Sequence, residues 1–575
     1  MVKMKISRSK ILISVLVLAA FVVAAFFVIE KYTERSLDTK IKYNYESGFY
    51  DEPIDIEISV GKSYFITYTL DGTDPTLDSE KYTGPIHIDD ASKDENRYAN
   101  LKETSTAFFD KNSIYAPATE KVDKCTVVRA SAYDYSGRKV SSSLKEYFIG
   151  FQDKKGYDGL YTVCIGTSPV YLFEDNVGIY TMGAGMREFI DSGEADEFNW
   201  ESGNAGRLKS REANWFIDGP QSERDTTLQI FDPDGNVVLD TVCGMRVRGH
   251  DSRHDPQKSI GFYAREEYSG SEYFDWDIFG TGSGPHSFVV FSGADDSDVK
   301  IKDYIIHSIE KEAGSNFTTS TFIPCNFFIQ GEYWGPMYIM EDLNDDFLST
   351  TYGVDSNNVR LIKGNTLKAS VQVSETASDL DEWSELREFI KNNDMSDAEN
   401  YEYVCSKIDM DSFIDYAATE IYIANSNWRE ENNSAEWRCA KKESGNKYAD
   451  GKWRFCLYDV NDSLKDWGEE TPSYFKRALD LQPTVKALGH NRDFEKAFKV
   501  RVDELENMYT EERVDELIEN WREVMHEPVE CYFTRFADKP GVDANEEIEK
   551  EIAGIRQFIK NRPSQMEILY DMLFD

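Results

Sequence analysis

A carboxylate at the end of an apolar strand can hold a hard divalent cation, and Asp459 stands in that position after the run Phe455-Cys456-Leu457-Tyr458. Asn461 adds a neutral oxygen donor two residues on, with Asp462 beside it. Arg248 and Arg253 precede Lys258 and offer fork-shaped donors suited to phosphate; in so acidic a chain, structural ion pairs are an equal reading. Glu341 closes the strand-like YIME, and Asp342, Asp345 and Asp346 follow it, all suited to the first turn of a helix. His250 and His254 lie four apart, but Asp251-Ser252-Arg253 between them is turn sequence and no third ligand follows, so solvated histidines outweigh zinc. The chain carries no Walker loop, no nucleophile elbow and no H-E-x-x-H. With 105 acidic residues some carboxylate pair always exists, so none argues for glycosidase chemistry.

The elements that must position these groups form an α+β pattern. Between Tyr43 and Gly150 the short alternating runs IDIEIS, YFITYTL, CTVVRASAY and SSLKEYFI are separated by turns such as Asp71-Gly72-Thr73-Asp74-Pro75, which predicts a small β-sandwich over 41–150. Asp71, Asp74 and Asp78 read as turn residues before they read as a calcium site. From about Leu160 strands and helices mix. LQIFDPDGNVVLD is a hairpin pattern, VKIKDYIIHSIEKEAG is an amphipathic helix ending at Gly314, and Ile548, Ile552, Ile555 and Ile559 share one helical face that Arg562-Pro563 is expected to terminate. No repeat or long linker interrupts this part, so 160–575 is read as one large domain.

Lys3, Lys5, Arg8 and Lys10 precede an apolar run from Ile11 to Ile29, long enough at about 1.5 Å per residue to approach a ~30 Å hydrocarbon core. The expectation is a cytoplasmic 1–10, a transmembrane signal anchor over 11–29 contacting the membrane, and the bulk outside the cell; cleavage of the segment gives a secreted protein instead. The formal charge is 64 − 105 = −41, a surface that repels phosphate backbones and excludes nucleic acid as a partner. Eight cysteines without a C-x-x-C pair argue against a zinc ribbon; Cys439 and Cys456 stand on two strand-like runs, where a cross-strand disulfide and two buried thiols are both open.

Five segments follow one another in a recognisable order: GMRVRGHDSRHDPQKSIGFYAR (Gly244 to Arg265), FFIQGEYWGPMYIMEDLNDDFLSTTYGVD (Phe327 to Asp355), NVRLIKG (Asn358 to Gly364), DSFIDYAATEIYIANSNWREENN (Asp411 to Asn433) and GKWRFCLYDVNDS (Gly451 to Ser463). With the GIY before Thr181 and the FIKNRP near the C-terminus, they resemble the spore-coat-protein-H (CotH) kinase family across nearly all of the second domain. YTLDGTDPTLDSEKYTGPI and ASAYDYSGRKVSS resemble the chitobiase/β-hexosaminidase C-terminal module, a fibronectin-III-like sandwich.

The first resemblance implies an atypical protein-kinase-like α+β domain that uses ATP with Mg2+ or Mn2+ and phosphorylates hydroxyls of exported or cell-envelope proteins. It implies that Lys258 binds phosphate, that Glu341 stands near that lysine or a metal, and that Asp459 and Asn461, at the family's D-x-D, hold metal; Arg248, by its fork-shaped donors, is counted with Lys258 and Glu341 as cofactor-binding. The family's catalytic-loop Asp corresponds to Asn427 and its metal-binding Asn to Asn432. An amide cannot accept a proton, so the alternative is a catalytically weak envelope or adhesion scaffold whose sandwich binds glycan or protein.

Overall fold

Alternation of apolar and polar residues builds the first unit strand by strand. The computed structural model describes residues 38–109, 113–193, 212–293, 298–364, 366–367, 373–430, 433–536 and 542–574. The contacts divide the chain into two units, the first comprising 1–93 with 124–152 and the second 94–123 with 153–575. In the first, β1 (Gly48–Tyr50), β2 (Tyr64–Thr69), β3 (Glu80–Lys81), β4 (Thr126–Asp134) and β5 (Lys139–Ile149) form a sheet in the order β1-β5-β4-β2-β3. Ile54–Ile56 pairs with Ile86–Ile88 in a second, two-stranded sheet, and Ile54, Ile56, Ile66, Ile86, Ile88, Val128 and Tyr147 pack between them. Asp71 accepts from the Thr73 N–H and hydroxyl, and Asp74 pairs with Arg129 at 2.8 Å, so these acids do turn work.

The second unit opens with a closed barrel of β6 (Tyr161–Gly166), β7 (Arg224–Phe231), β8 (Val237–Val247), β9 (Ile260–Tyr263), β10 (Ser287–Phe291), β11 (Ile323–Ile329) and β12 (Glu332–Glu341), in the order β6-β7-β8-β9-β10-β12-β11. The parallel pairing of β6 with β11 closes it. The expected hairpin is β7–β8, turning at Gly235 with φ +81°. The helix after β10, α1 (Lys302–Ala313), ends at the left-handed Gly314, a conformation that costs glycine no Cβ clash. After β12 come α2 (Asp345–Tyr352) and a four-stranded sheet, β14-β13-β15-β16, made of β13 (Val359–Lys363), β14 (Thr366–Leu367), β15 (Ala435–Cys439) and β16 (Arg454–Cys456).

Helices dominate the remainder: α3 (Val373–Asn392), α4 (Met410–Tyr422), α5 (Thr471–Leu481), α6 (Arg492–Met508), α7 (Glu511–Phe536) and α8 (Ala544–Leu573). Pro563 does not stop α8, contrary to expectation. Ile559 before it and Met566 and Leu569 after it are all buried, and that continuous apolar stripe outweighs the one backbone hydrogen bond a proline removes. Cys439 and Cys456 are free thiols, as are the other six cysteines. The β15–β16 register sets Ala435 opposite Cys456, so Cys439 lies beyond the paired stretch, and both sulfurs pack in an apolar cluster with Leu348, Val359 and Trp437.

One part of the expected architecture is corrected. The spanning helix over 11–29 falls on residues outside those described, and among the described residues no helix is long and apolar enough to cross a membrane. The fold is therefore a mixed α+β one of sandwich, barrel and helices. The single-pass placement at the cell membrane, with the bulk outside, is not retained.

Candidate active site

Two loops meet between the C-terminus of α4 and the end of β16. Asp409 caps α4 by accepting from the Ser412 N–H, and the helix runs to Tyr422, after which Ala424 at φ +57° turns the chain away. The segment after β16 reverses at Asp459, φ +60°, a left-handed conformation that non-glycine residues adopt only where surrounding contacts hold it. Those contacts are visible: Leu464 N–H donates to the Ile423 carbonyl at 2.8 Å, Ser426 N–H donates to the Asp462 carbonyl at 3.1 Å, and the Ser426 hydroxyl donates to the Asp462 carboxylate.

Asn425 joins the loops from within. Its amide donates to the Glu420 carboxylate at 2.9 Å and to the Asp459 carbonyl at 3.1 Å, while its own oxygen accepts from the Asn427 N–H at 3.1 Å. Asn461 donates to the Asp459 carboxylate at 3.3 Å. Glu420 is fully buried, and burial pushes its carboxyl well above the usual range, an effect the Asn425 bond opposes and the Asp459 charge reinforces. Glu420 Oε1 and Asn461 Oδ1 are buried without hydrogen-bond partners. Buried acceptors are rarely left unused, and these two beside the Asp459 carboxylate form an all-oxygen donor set that fits Mg2+ or Mn2+.

The barrel contributes positive charge to the same neighbourhood. Arg248, just past β8, pairs with Asp342 at 2.7 Å and donates to the Tyr263 hydroxyl at 2.9 Å. Asp342 is buried and also accepts from the Ser287 hydroxyl at 3.0 Å. Burial alone would raise its carboxyl, but Arg248 and Lys363 outweigh that and hold it below the usual range. Tyr458, next to Asp459, lies within electrostatic reach of both Arg248 and Asp342, and the Lys363 ammonium sits 5.2 Å from its ring centre.

The residues singled out by the sequence are therefore not all brought together. Lys258 is fully buried, with Nζ donating to the Asp255 carbonyl at 2.6 Å and lying 4.2 Å from the Trp215 ring centre and 5.1 Å from that of Tyr180. Burial pushes its pKa down to about 7 against the opposing charge of Asp255. Glu341 turns to the other side of β12 from Asp342, accepting from the Thr321 N–H and hydroxyl, both at 2.6 Å. No described contact joins Lys258 or Glu341 to Arg248 or Asp459. Arg253 is a structural donor to the Gly249 carbonyl and Asp218. Among the described residues no group of three acids, histidines or cysteines is placed to hold a metal. Asn427 is half-buried on the loop after α4, and Asn432 lies outside the described residues.

Sequence reasoning missed Glu420, Asn425, the pairing of Asp342 with Arg248 and the bond between Ser426 and Asp462. Glu420 had a signal: it is an acid on the face of α4 that also carries Phe413, Tyr416 and Ala417, where only a buried role accounts for it. It also missed how α8 braces the two loops. Arg562, buried among the Phe475, Phe558 and Tyr422 rings, donates to the Ile421 carbonyl at the end of α4. Asn561 and Gln565 donate to the Asp466 carboxylate, at 2.7 and 2.8 Å, just past the Asp459 loop.

Barrel, sheet and helices thus bring the Asp459 loop and the loop after α4 into contact. The family model described as CotH kinase protein matches residues 245–566, more than half of the chain, and the chain belongs to that family. A second model, the chitobiase/beta-hexosaminidase C-terminal domain, matches residues 45–94. No curated protein matches the chain.

Proposed function

We propose that the second unit transfers the γ-phosphoryl group of ATP, with Mg2+ or Mn2+, to hydroxyl groups of protein acceptors. The observation that carries the reading is the contact between the two loops, with the Asp459 carboxylate beside the unused oxygens of Glu420 and Asn461. In the transfer, the acceptor oxygen bonds to the γ-phosphorus, the bond from that phosphorus to the β,γ-bridging oxygen breaks, and ADP leaves with the electron pair. A divalent ion, when bound, offsets the charge spread over the phosphoryl oxygens. Asp459, Asn461 and Glu420 would hold it.

Arg248 and Lys363 present positive charge to the phosphates from the barrel side and from the end of β13. The hydroxyl proton passes to the Asp462 carboxylate, which reaches the catalytic loop at Ser426, because the Asn427 amide has no basic lone pair to take it. Lys258 acts from the fold, tying the segment before β9 to Tyr180 and Trp215.

A second reading has its own support. Asn427 is the amide expected of a weakened enzyme, and on the sandwich Tyr135 is 77% exposed with its ring centre 5.9 Å from that of Phe65, a surface suited to stacking on a sugar ring. In that reading the chain is a glycan-binding scaffold. Incubating the full chain with γ-labelled ATP, either Mn2+ or Mg2+, and a mixed serine, threonine and tyrosine peptide library separates the two. Incorporation that falls at least about 100-fold in Asp459→Asn supports the kinase; no incorporation above background with either metal leaves the scaffold.

A further inference from the structure

A hydroxyl that accepts a phosphoryl group must set its proton on a base and its oxygen beside the metal-held phosphates. One hydroxyl of the chain itself already meets the first condition. The Ser426 side chain donates to the Asp462 carboxylate, the group assigned the acceptor's proton, and the Ser426 N–H donates to the Asp462 carbonyl at 3.1 Å, so two contacts hold the pair together. The residues on either side tie this serine to the metal-suited loop: the Asn425 amide donates to the Asp459 carbonyl at 3.1 Å, and the Asn427 N–H donates back to the Asn425 side chain. The surroundings also suit an anion at this position. Arg477 on α5 donates to the Ser426 carbonyl at 3.4 Å, and its guanidinium lies 5.9 Å from the Trp467 ring centre, with the Lys465 ammonium 4.7 Å from the same centre. Both cations are exposed, and neither has a carboxylate partner among the described residues.

We propose that Ser426 is a phosphoryl acceptor of its own chain. The inference rests on the kinase reading and adds a modification site to it. In the step the Ser426 oxygen bonds to the γ-phosphorus, the bond from that phosphorus to the β,γ-bridging oxygen breaks, ADP leaves with the electron pair, and the serine proton passes to the Asp462 carboxylate. The product carries a charge of about −1.5 to −2 where a neutral hydroxyl stood. Arg477 gives it charge-assisted hydrogen bonds, and its repulsion of Asp462 keeps a second hydroxyl from using that carboxylate. Filling Ser426 therefore turns down transfer to other acceptors.

The test is incubation of the full chain with γ-labelled ATP and Mn2+, with and without the mixed peptide library, followed by proteolysis and mapping of the phosphate by mass spectrometry. Without peptide, phosphate is expected on Ser426, at a rate per molecule that stays within about twofold over an about tenfold dilution, as transfer inside one chain requires. That rate is expected to fall by about 10²-fold or more in Asp462→Asn. Ser426→Ala should lose the label, and Ser426→Thr, which keeps the hydroxyl, should carry it as phosphothreonine. Peptide phosphorylation should slow in proportion to the fraction of Ser426 filled, and a filled chain that works at the unfilled rate overturns the block on Asp462. Peptide phosphorylation with no phosphate at position 426 overturns the self-acceptor and leaves the kinase reading standing, as does a rate per molecule that falls in step with dilution. A chain that labels neither itself nor peptide overturns both.

Discussion

At Lys258 the loss of water and the charge of Asp255 pull in opposite directions, and burial wins, with the pKa pushed from 10.5 down to about 7. Between those two values the unfolded chain holds a proton that the folded chain has released, so this group's contribution to stability rises with pH across the window. Below about pH 7 both states are charged and the full penalty applies. Lys258→Met removes the penalty. Unfolding free energies measured from pH 6 to 9 should show the native chain gaining on Lys258→Met by up to about 1.4 kcal/mol per pH unit above pH 7. A difference that stays flat would mean that the ring contacts keep the ammonium charged. The same scale settles the proton acceptor. Asp462→Asn should lower phosphotransfer by about 10²- to 10⁴-fold, whereas Asn427→Asp should change it little. A tenfold rise in Asn427→Asp with Asp462→Asn silent would return the role to position 427.

The helices and strands supply the positions that single residues cannot. Helix α8 touches both loops through its Asn561, Arg562 and Gln565 segment, so it serves as a brace for the site as well as a packing element. Arg562→Met keeps the volume among the rings but leaves the Ile421 carbonyl without its donor, which should cost about 1–3 kcal/mol in denaturant unfolding. Metal-nucleotide affinity should fall more than the stability loss alone accounts for, with partial recovery in Arg562→Lys, and unchanged affinity would reduce the contact to packing. Strand register makes a covalent prediction. With Cys439 beyond the β15–β16 pairing, alkylation of the unfolded, unreduced chain should add eight labels by mass, and six would reveal a disulfide.

Over the whole molecule, the alternating strands of the sandwich, the β7–β8 hairpin, α1 with its Gly314 stop and the order of the five family segments were legible in the sequence, because each depends on local periodicity or turn chemistry. The closure of the barrel was not, since β6 pairs with β11 across some 160 residues and neither strand carries a mark of its partner. Asp459 was legible as a strand-end acid, and the turn at φ +60° adds why its backbone is held there. Lys258 and Glu341 show the limit of motif matching: both lie in family segments, yet one side chain enters an aromatic cage and the other fastens Thr321. Which face of a strand a residue takes decides this, and one step along β12 exchanges Glu341 for Asp342 at Arg248.

The account stands or falls on whether the Asp459 loop binds metal and nucleotide together. The direct measurement is the melting temperature of the full chain with Mn2+-ATP at millimolar concentration, compared with Asp459→Asn, a substitution that suits the left-handed backbone and removes only the charge. The account predicts a rise of several degrees in the native chain and none in the variant, with equal melting temperatures when no ligand is added. A native chain that melts identically with and without Mn2+-ATP and Mg2+-ATP, or a variant that keeps the full shift, would contradict it.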